Sequence, residues 1–148
     1  MKKVLFICTG NYYRSRFAEL LFNALAERAG LGWQAESRGL AAVWFGDNLG
    51  PISREAVSEL AKRNVKLKGP PRAPLHLQEA DLEQADLIIA LNEPEHRQML
   101  ESRFLNWAAR THYWHILDLG EAPADEALAQ VEQEVMALVQ ALSRESER

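Results

Sequence analysis

Apolar and polar positions along this chain alternate between a strand-like and a helix-like pattern. Lys3 to Ile7 holds the continuous apolar run Val4-Leu5-Phe6-Ile7 and reads as a buried strand. Phe17, Leu20, Leu21, Ala24 and Leu25 then fall on one helical stripe, which stops near Ala29-Gly30, where glycine ends a helix readily. Gln34 to Arg38 predicts a second short strand, and Gly39 to Gly50 a loop that carries Trp44 and Phe45. Pro51-Ile52-Ser53 opens a helix through about Arg63, with Ile52, Ala56, Val57 and Leu60 facing inward. Gly69-Pro70-Pro71-Arg72-Ala73-Pro74 is extended, because its proline spacing forbids a helix. Leu87-Ile88-Ile89-Ala90-Leu91 is the clearest buried strand, and Pro94 starts the helix behind it. Tyr113 to Leu117 predicts the last strand and Asp118 to Ala124 a loop, before Leu128, Val131, Val135, Leu138 and Leu142 mark a long closing helix.

Strands alternating with helices predict an α/β fold of three αβα layers. Its centre is a four-stranded parallel sheet of the Rossmann-like or flavodoxin-like kind. No repeat, linker or low-complexity segment interrupts the order, so 1–148 reads as one domain able to bury its own core. In such sheets ligands sit beyond the carboxyl ends of the strands. Cys8, Asn92 and Asp118 follow the first, third and fourth predicted strands and therefore share one rim.

Composition narrows the chemistry. Apolar residues make up 47% and charged residues 26%, ordinary for a soluble globular protein. A net charge of -4 argues against a general nucleic-acid binder. No run approaches the ~20 apolar residues of a membrane helix, and Met1-Lys2-Lys3 leads into a strand rather than a signal-peptide core. One cysteine cannot form an internal disulfide, which makes a reducing cytoplasm the expected location. His76, His96, His112 and His115 are scattered without ligand spacing, so neither a metal nor a cofactor is expected.

The candidate chemistry lies in Cys8-Thr9-Gly10-Asn11-Tyr12-Tyr13-Arg14-Ser15, where the lone cysteine ends a strand and a helix begins six residues on. A thiolate attacks phosphorus only if the tetrahedral anion is held in line with the sulfur. A loop curling from Cys8 to Arg14 points backbone N–H groups inward as an anion nest, capped by the next helix's N-terminus. Those dipoles and Arg14 favour a thiolate at Cys8, and Arg14 adds a planar fork for two phosphate oxygens. Gly10 allows close backbone approach, Asn11 tolerates left-handed geometry, and the Ser15 hydroxyl can bond the thiolate or the phosphate.

Cys-Thr-Gly-Asn-x-x-Arg-Ser resembles the signature loop of the low-molecular-weight protein-tyrosine phosphatases, and the element order matches over nearly the whole chain. The resemblance implies a metal-independent phosphatase for phosphotyrosine, carried by a phosphoprotein or a small aryl phosphate, working through a phosphocysteine. Cys8 is then the nucleophile, and Arg14 and the loop amides stabilise the transferring group. The leaving group needs a proton, and Asp118 in Trp114-His115-Ile116-Leu117-Asp118-Leu119 resembles the family's acid, with Glu121 and Asp125 as reserves. Asp125 is better placed to start the following helix. Thr9, Gly10, Asn11, Tyr12, Tyr13 and Ser15 would contact the substrate. Trp44 and Phe45 would supply flat cleft walls, or one of them packs into the core.

Three departures from the family stand out. Leu119 replaces the usual proline after the acid, Tyr13 replaces a second cysteine, and Asn92 replaces the acid after the third strand. Arg38 and Arg72 are candidates for a basic rim or for solvated surface. Arsenate reduction, which related enzymes of this fold perform, is the nearest enzymatic alternative. With Cys8 alone it needs an external thiol. A non-catalytic phosphate-binding module is the other alternative.

Overall fold

The computed structural model describes residues 1–42, 48 and 50–147. Its elements run β1 (Lys2–Cys8), α1 (Arg14–Arg28), β2 (Trp33–Gly39), α2 (Arg54–Ala61), α3 (Glu79–Gln84), β3 (Leu87–Ala90), α4 (Glu93–Arg103), α5 (Leu105–Ala108), β4 (His112–Tyr113) and α6 (Ala124–Ser146). The four strands form one sheet in the order β2-β1-β3-β4, and every neighbouring pair is parallel.

β1 is central and covered on both faces, which is why it is apolar without alternation. Its side chains still alternate between two cores. Val4, Phe6 and Cys8 join Phe17, Leu21, Phe22, Leu128 and Val135 on the side of α1, α2 and α6. Leu5 and Ile7 join Leu77, Leu82, Ile88 and Leu100 on the other side. Cys8 thus ends the strand on the α1 face, with the rim of the sheet directly above it.

Several boundaries move from their predicted places. α2 starts at Arg54, because Ser53 is its N-cap and accepts a bond from Ala56 N–H at 3.0 Å. It ends before Arg63, where Asn64 at φ 59 turns the chain away. The short helices α3 and α5 were not anticipated, since neither is long enough to display a period. The largest correction concerns the last strand, expected over Tyr113 to Leu117. β4 covers only His112–Tyr113. Beyond it Trp114 N–H reaches Ala90 O at 2.9 Å and Ile116 N–H reaches Leu91 O at 2.8 Å. Glu93 N–H also reaches Trp114 O at 3.0 Å, but Asn92 bridges His115 in the antiparallel sense as it turns the neighbouring chain into α4, which ends the parallel ladder.

Candidate active site

The loop between β1 and α1 is clipped to the end of β2. Leu40 N–H donates to Cys8 O at 2.9 Å, and Ala41 N–H donates to Thr9 O at 2.8 Å. Gly39 makes this approach feasible, because a Cβ there would lie 2.8 Å from Thr9 O and 2.9 Å from Asn11 N. Asn11 takes the left-handed geometry expected of it, at φ 51, and is fully buried. α1 begins without a side-chain cap and without an acid in its first turn, which leaves its N-terminal N–H groups for an anion.

A polar network runs from Asn11 in two directions. Its Oδ1 accepts from Leu75 N–H at 2.9 Å and from Arg72 Nη1 at 3.0 Å. A backbone N–H only donates, so the amide orientation is fixed and Nδ2 must donate. It does so to Ser15 Oγ and to Ser37 Oγ, each at 2.9 Å. Ser15 Oγ lies 2.9 Å from Cys8 Sγ. Arg72 also bonds Ser37 and, at 3.0 Å, Glu19, so it is a brace behind the loop rather than a rim charge. Arg38 is likewise committed, to Glu36 and to Asp81.

Arg14 has a side chain only 2% exposed and three partners. Nη1 donates to Ile116 O at 2.9 Å and to Glu95 Oε1 at 3.2 Å, and Nη2 donates to Glu95 Oε2 at 3.0 Å. Asp118 Oδ2 stands 3.4 Å from Nη2. Burial works against the Arg14 charge, but Cys8, Glu95 and Asp118 outweigh it and push the guanidinium above its ordinary pKa. Burial would raise the Glu95 carboxyl, yet hydrogen bonds from His96, Arg14 and Thr9 hold it far below the usual carboxylate range. His96 is fully buried and accepts Asn92 N–H on Nδ1 at 3.0 Å, so its proton sits on Nε2, facing Thr9 and Glu95. Burial lowers its pKa.

Asp118 lies five residues past β4, at the head of a turn closed by Glu121 N–H on Asp118 O at 3.1 Å. Gly120 at φ 87 makes this a type II turn with Leu119 at its second position, the place that favours proline. Leu119 N–H, a donor that proline lacks, bonds Asp118 Oδ1 at 2.8 Å. Glu121 accepts Asp118 N–H at 3.1 Å, so this reserve carboxylate is a strut for the turn. Asp125 lies in the first turn of α6. A thiol, a buried guanidinium, a bare helix N-terminus and a half-exposed carboxylate therefore converge on one rim. That set can hold a phosphoryl group and exchange a proton with its leaving atom.

Residues 3–148 match the family model described as low molecular weight phosphotyrosine protein phosphatase. The chain belongs to that family. A protein-arginine-phosphatase of Bacillus subtilis is 35% identical over 101 residues, 68% of this chain and 62% of that protein. Across the curated relatives the chain matches between 52% and 62% of their length. The crystal structure of a low molecular weight protein tyrosine phosphatase from T. tengcongensis superposes with a TM-score of 0.76 at 30% identity, covering 98% of this chain and 99% of that one. A YwlE arginine phosphatase with cysteine replaced by a phosphorylated active-site serine gives a TM-score of 0.75 at 26% identity, covering 99% and 96%.

Within this phosphatase family frame, the structure sorts the expected residues. Cys8, Thr9, Gly10, Asn11, Arg14, Ser15 and Asp118 come together at the rim. Tyr12 is half-buried against the main core. Tyr13 is 3% exposed, with its hydroxyl toward Ala124 O and its pKa pushed up to about 12, mainly by burial. Its side chain packs inside instead of bordering the anion. Trp44 and Phe45 lie outside the described residues. Sequence reasoning missed Glu95, His96, Ser37 and Glu19. The available signal for Glu95 was its position three residues past Asn92, on the rim and in the first turn of α4. Among the described residues no helix is long and apolar enough to cross a membrane, and no three His, Cys, Asp or Glu cluster as a metal site.

Proposed function

We propose that the protein is a phosphatase that hydrolyses phosphotyrosine or similar aryl phosphates, without metal, through a phosphocysteine. The observation that carries this reading is Cys8 Sγ lying 2.9 Å from Ser15 Oγ, at the rim where Arg14 and Asp118 meet. In the first step Cys8 Sγ forms a bond to phosphorus as the bond to the leaving oxygen breaks, and protonated Asp118 gives that oxygen its proton. In the second, water attacks phosphorus, Asp118 takes the proton back, and the S–P bond breaks to free phosphate and the thiolate. Arg14, the loop amides and the α1 N-terminus hold the equatorial oxygens throughout.

A second reading has one observation in its favour. Two carboxylates, Glu95 and Asp118, stand around the single guanidinium of Arg14, with side chains 30% and 42% exposed. An acidic mouth suits a leaving group that carries positive charge, as the guanidinium of phosphoarginine does, and the Bacillus subtilis relative acts under that name.

The test is hydrolysis of phosphotyrosine, phosphoarginine, phosphoserine and an aryl phosphate series side by side with chelator present, together with an arsenate-reduction assay supplied with external thiol. Cys8→Ser should abolish turnover while inorganic phosphate still binds, since the amides and Arg14 supply most contacts. Asp118→Asn should lose most activity on poor leaving groups and least on activated phenols, which depart without a proton. Substantial turnover by Cys8→Ser would rule out the covalent route, and equal losses across the leaving groups would move the acid elsewhere. Phosphate binding by a wild-type chain that hydrolyses none of these would make it a binding module.

A further inference from the structure

An arginine presents two pairs of parallel donors, the outer pair Nη1 and Nη2 and the side pair Nε and Nη2. In Arg14 the outer pair is taken, because Glu95 Oε1 accepts from Nη1 at 3.2 Å and Oε2 from Nη2 at 3.0 Å. The remaining Nη1 hydrogen goes to Ile116 O at 2.9 Å. A bidentate grip on phosphate must therefore use the side pair, next to which Asp118 stands at 3.4 Å from Nη2. Glu95 also accepts the Thr9 hydroxyl, so one carboxylate ties the residue after the nucleophile to the arginine that closes the loop. The carboxylate is itself held by His96 Nε2 at 3.2 Å, and its backbone lies in the first turn of α4 behind Pro94. Asn92 takes no part in this grip. Its Nδ2 donates to Ile116 O at 3.1 Å, steadying the carbonyl that Arg14 shares.

We propose that Glu95 is a positioning residue. By holding the outer end of the Arg14 fork and the Thr9 hydroxyl, it closes the Cys8–Arg14 loop and turns the Nε–Nη2 edge toward the phosphoryl group. The role rests on the phosphatase reading but is testable apart from it, because inorganic phosphate binding needs no turnover. The experiment measures phosphate binding by calorimetry and aryl phosphate kinetics for wild type, Glu95→Gln, Glu95→Asp, and Arg14→Ala with and without Glu95→Gln, with thermal unfolding of each. Glu95→Gln should weaken phosphate binding and lower kcat/KM by tenfold or more, and Glu95→Asp should recover part of the loss. In the Arg14→Ala background Glu95→Gln should cost much less phosphate binding, since only its tie to Thr9 remains, a coupling that a merely structural role would not produce. Unchanged binding in Glu95→Gln would overturn the proposal, as would an equal loss in the Arg14→Ala background. Tighter phosphate binding would also overturn it, making Glu95 a competitor for the fork. A wild-type chain that binds phosphate without hydrolysing it sinks the phosphatase reading alone, and the binding arm still decides on Glu95.

Discussion

Asn11 decides which way the hydrogen bonds around the nucleophile run. Its Oδ1 is occupied by two donors, so its Nδ2 donates to Ser15 Oγ, which leaves that oxygen's own hydrogen free to turn toward Cys8 Sγ, 2.9 Å away. A hydroxyl aimed at sulfur stabilises negative charge that develops there, and a hydrogen bond to a charged group contributes roughly 1.5–3 kcal/mol. The hydroxyl receives the sulfur's charge when the S–P bond breaks in the proposed second step. Ser15→Ala should therefore lower kcat by about tenfold or more. An unchanged kcat would mean that the serine proton is directed elsewhere. The sequence displayed Ser15 and Asn11, because both lie within the loop. Arg72 was not legible as their brace, since it reaches Asn11 from 61 residues away through folding of the extended proline segment.

At the scale of elements, the site depends on how closely the end of β2 lies under the loop after β1. Periodicity located both strands within about one residue, but periodicity says nothing of the distance between a strand end and a neighbouring loop. Gly39 carries that information. A methyl group there would meet backbone atoms of Thr9 and Asn11 at 2.8 and 2.9 Å, and neither is a flexible side-chain tip that gives way. Gly39→Ala should push the loop off its position at a cost of ~1–3 kcal/mol, as overpacking does. Phosphate affinity and turnover should fall by at least tenfold while the β1–β2 ladder and the far-ultraviolet spectrum stay intact. Gly32→Ala is the control, because a Cβ there meets nothing within 4 Å. Urea unfolding and phosphate calorimetry on the two variants check the contrast, and equal behaviour would mean that the loop yields freely. The failed prediction of β4 has the same origin. Trp114 to Leu117 has the composition of a strand, but whether it pairs was decided by the turn of Asn92 into α4.

For the whole molecule, the rim rule brought Cys8 and Asp118 together from topology alone, whereas the group that joins them needed three dimensions. Thr9, Arg14, Glu95, His96 and Asp118 come from the first, the middle and the late part of the chain, and every one of them contacts Glu95 or Arg14. Building this group buries His96 in its neutral form, and that has a consequence for stability. Burial lowers its pKa in the native state, with Glu95 and Asp118 working in the opposite sense and Arg14 in the same one. Above the unfolded value of about 6.5 the imidazole is neutral in both states and contributes no pH dependence. Below it the unfolded chain takes up a proton that the native state refuses, so unfolding gains. Stability should therefore decline as pH falls from about 6.5, before the carboxylates begin to titrate. Glu95 adds a second loss at lower pH, because its depressed native pKa stabilises the fold only while the unfolded carboxyl is ionised. Urea midpoints at pH 7.5, 6.5 and 5.5 should fall for the wild type. They should be nearly level for His96→Asn, whose amide can still accept Asn92 N–H. The variant is less stable throughout, so the slope is the decisive quantity. Parallel slopes for the two proteins would mean that His96 takes its proton within the fold.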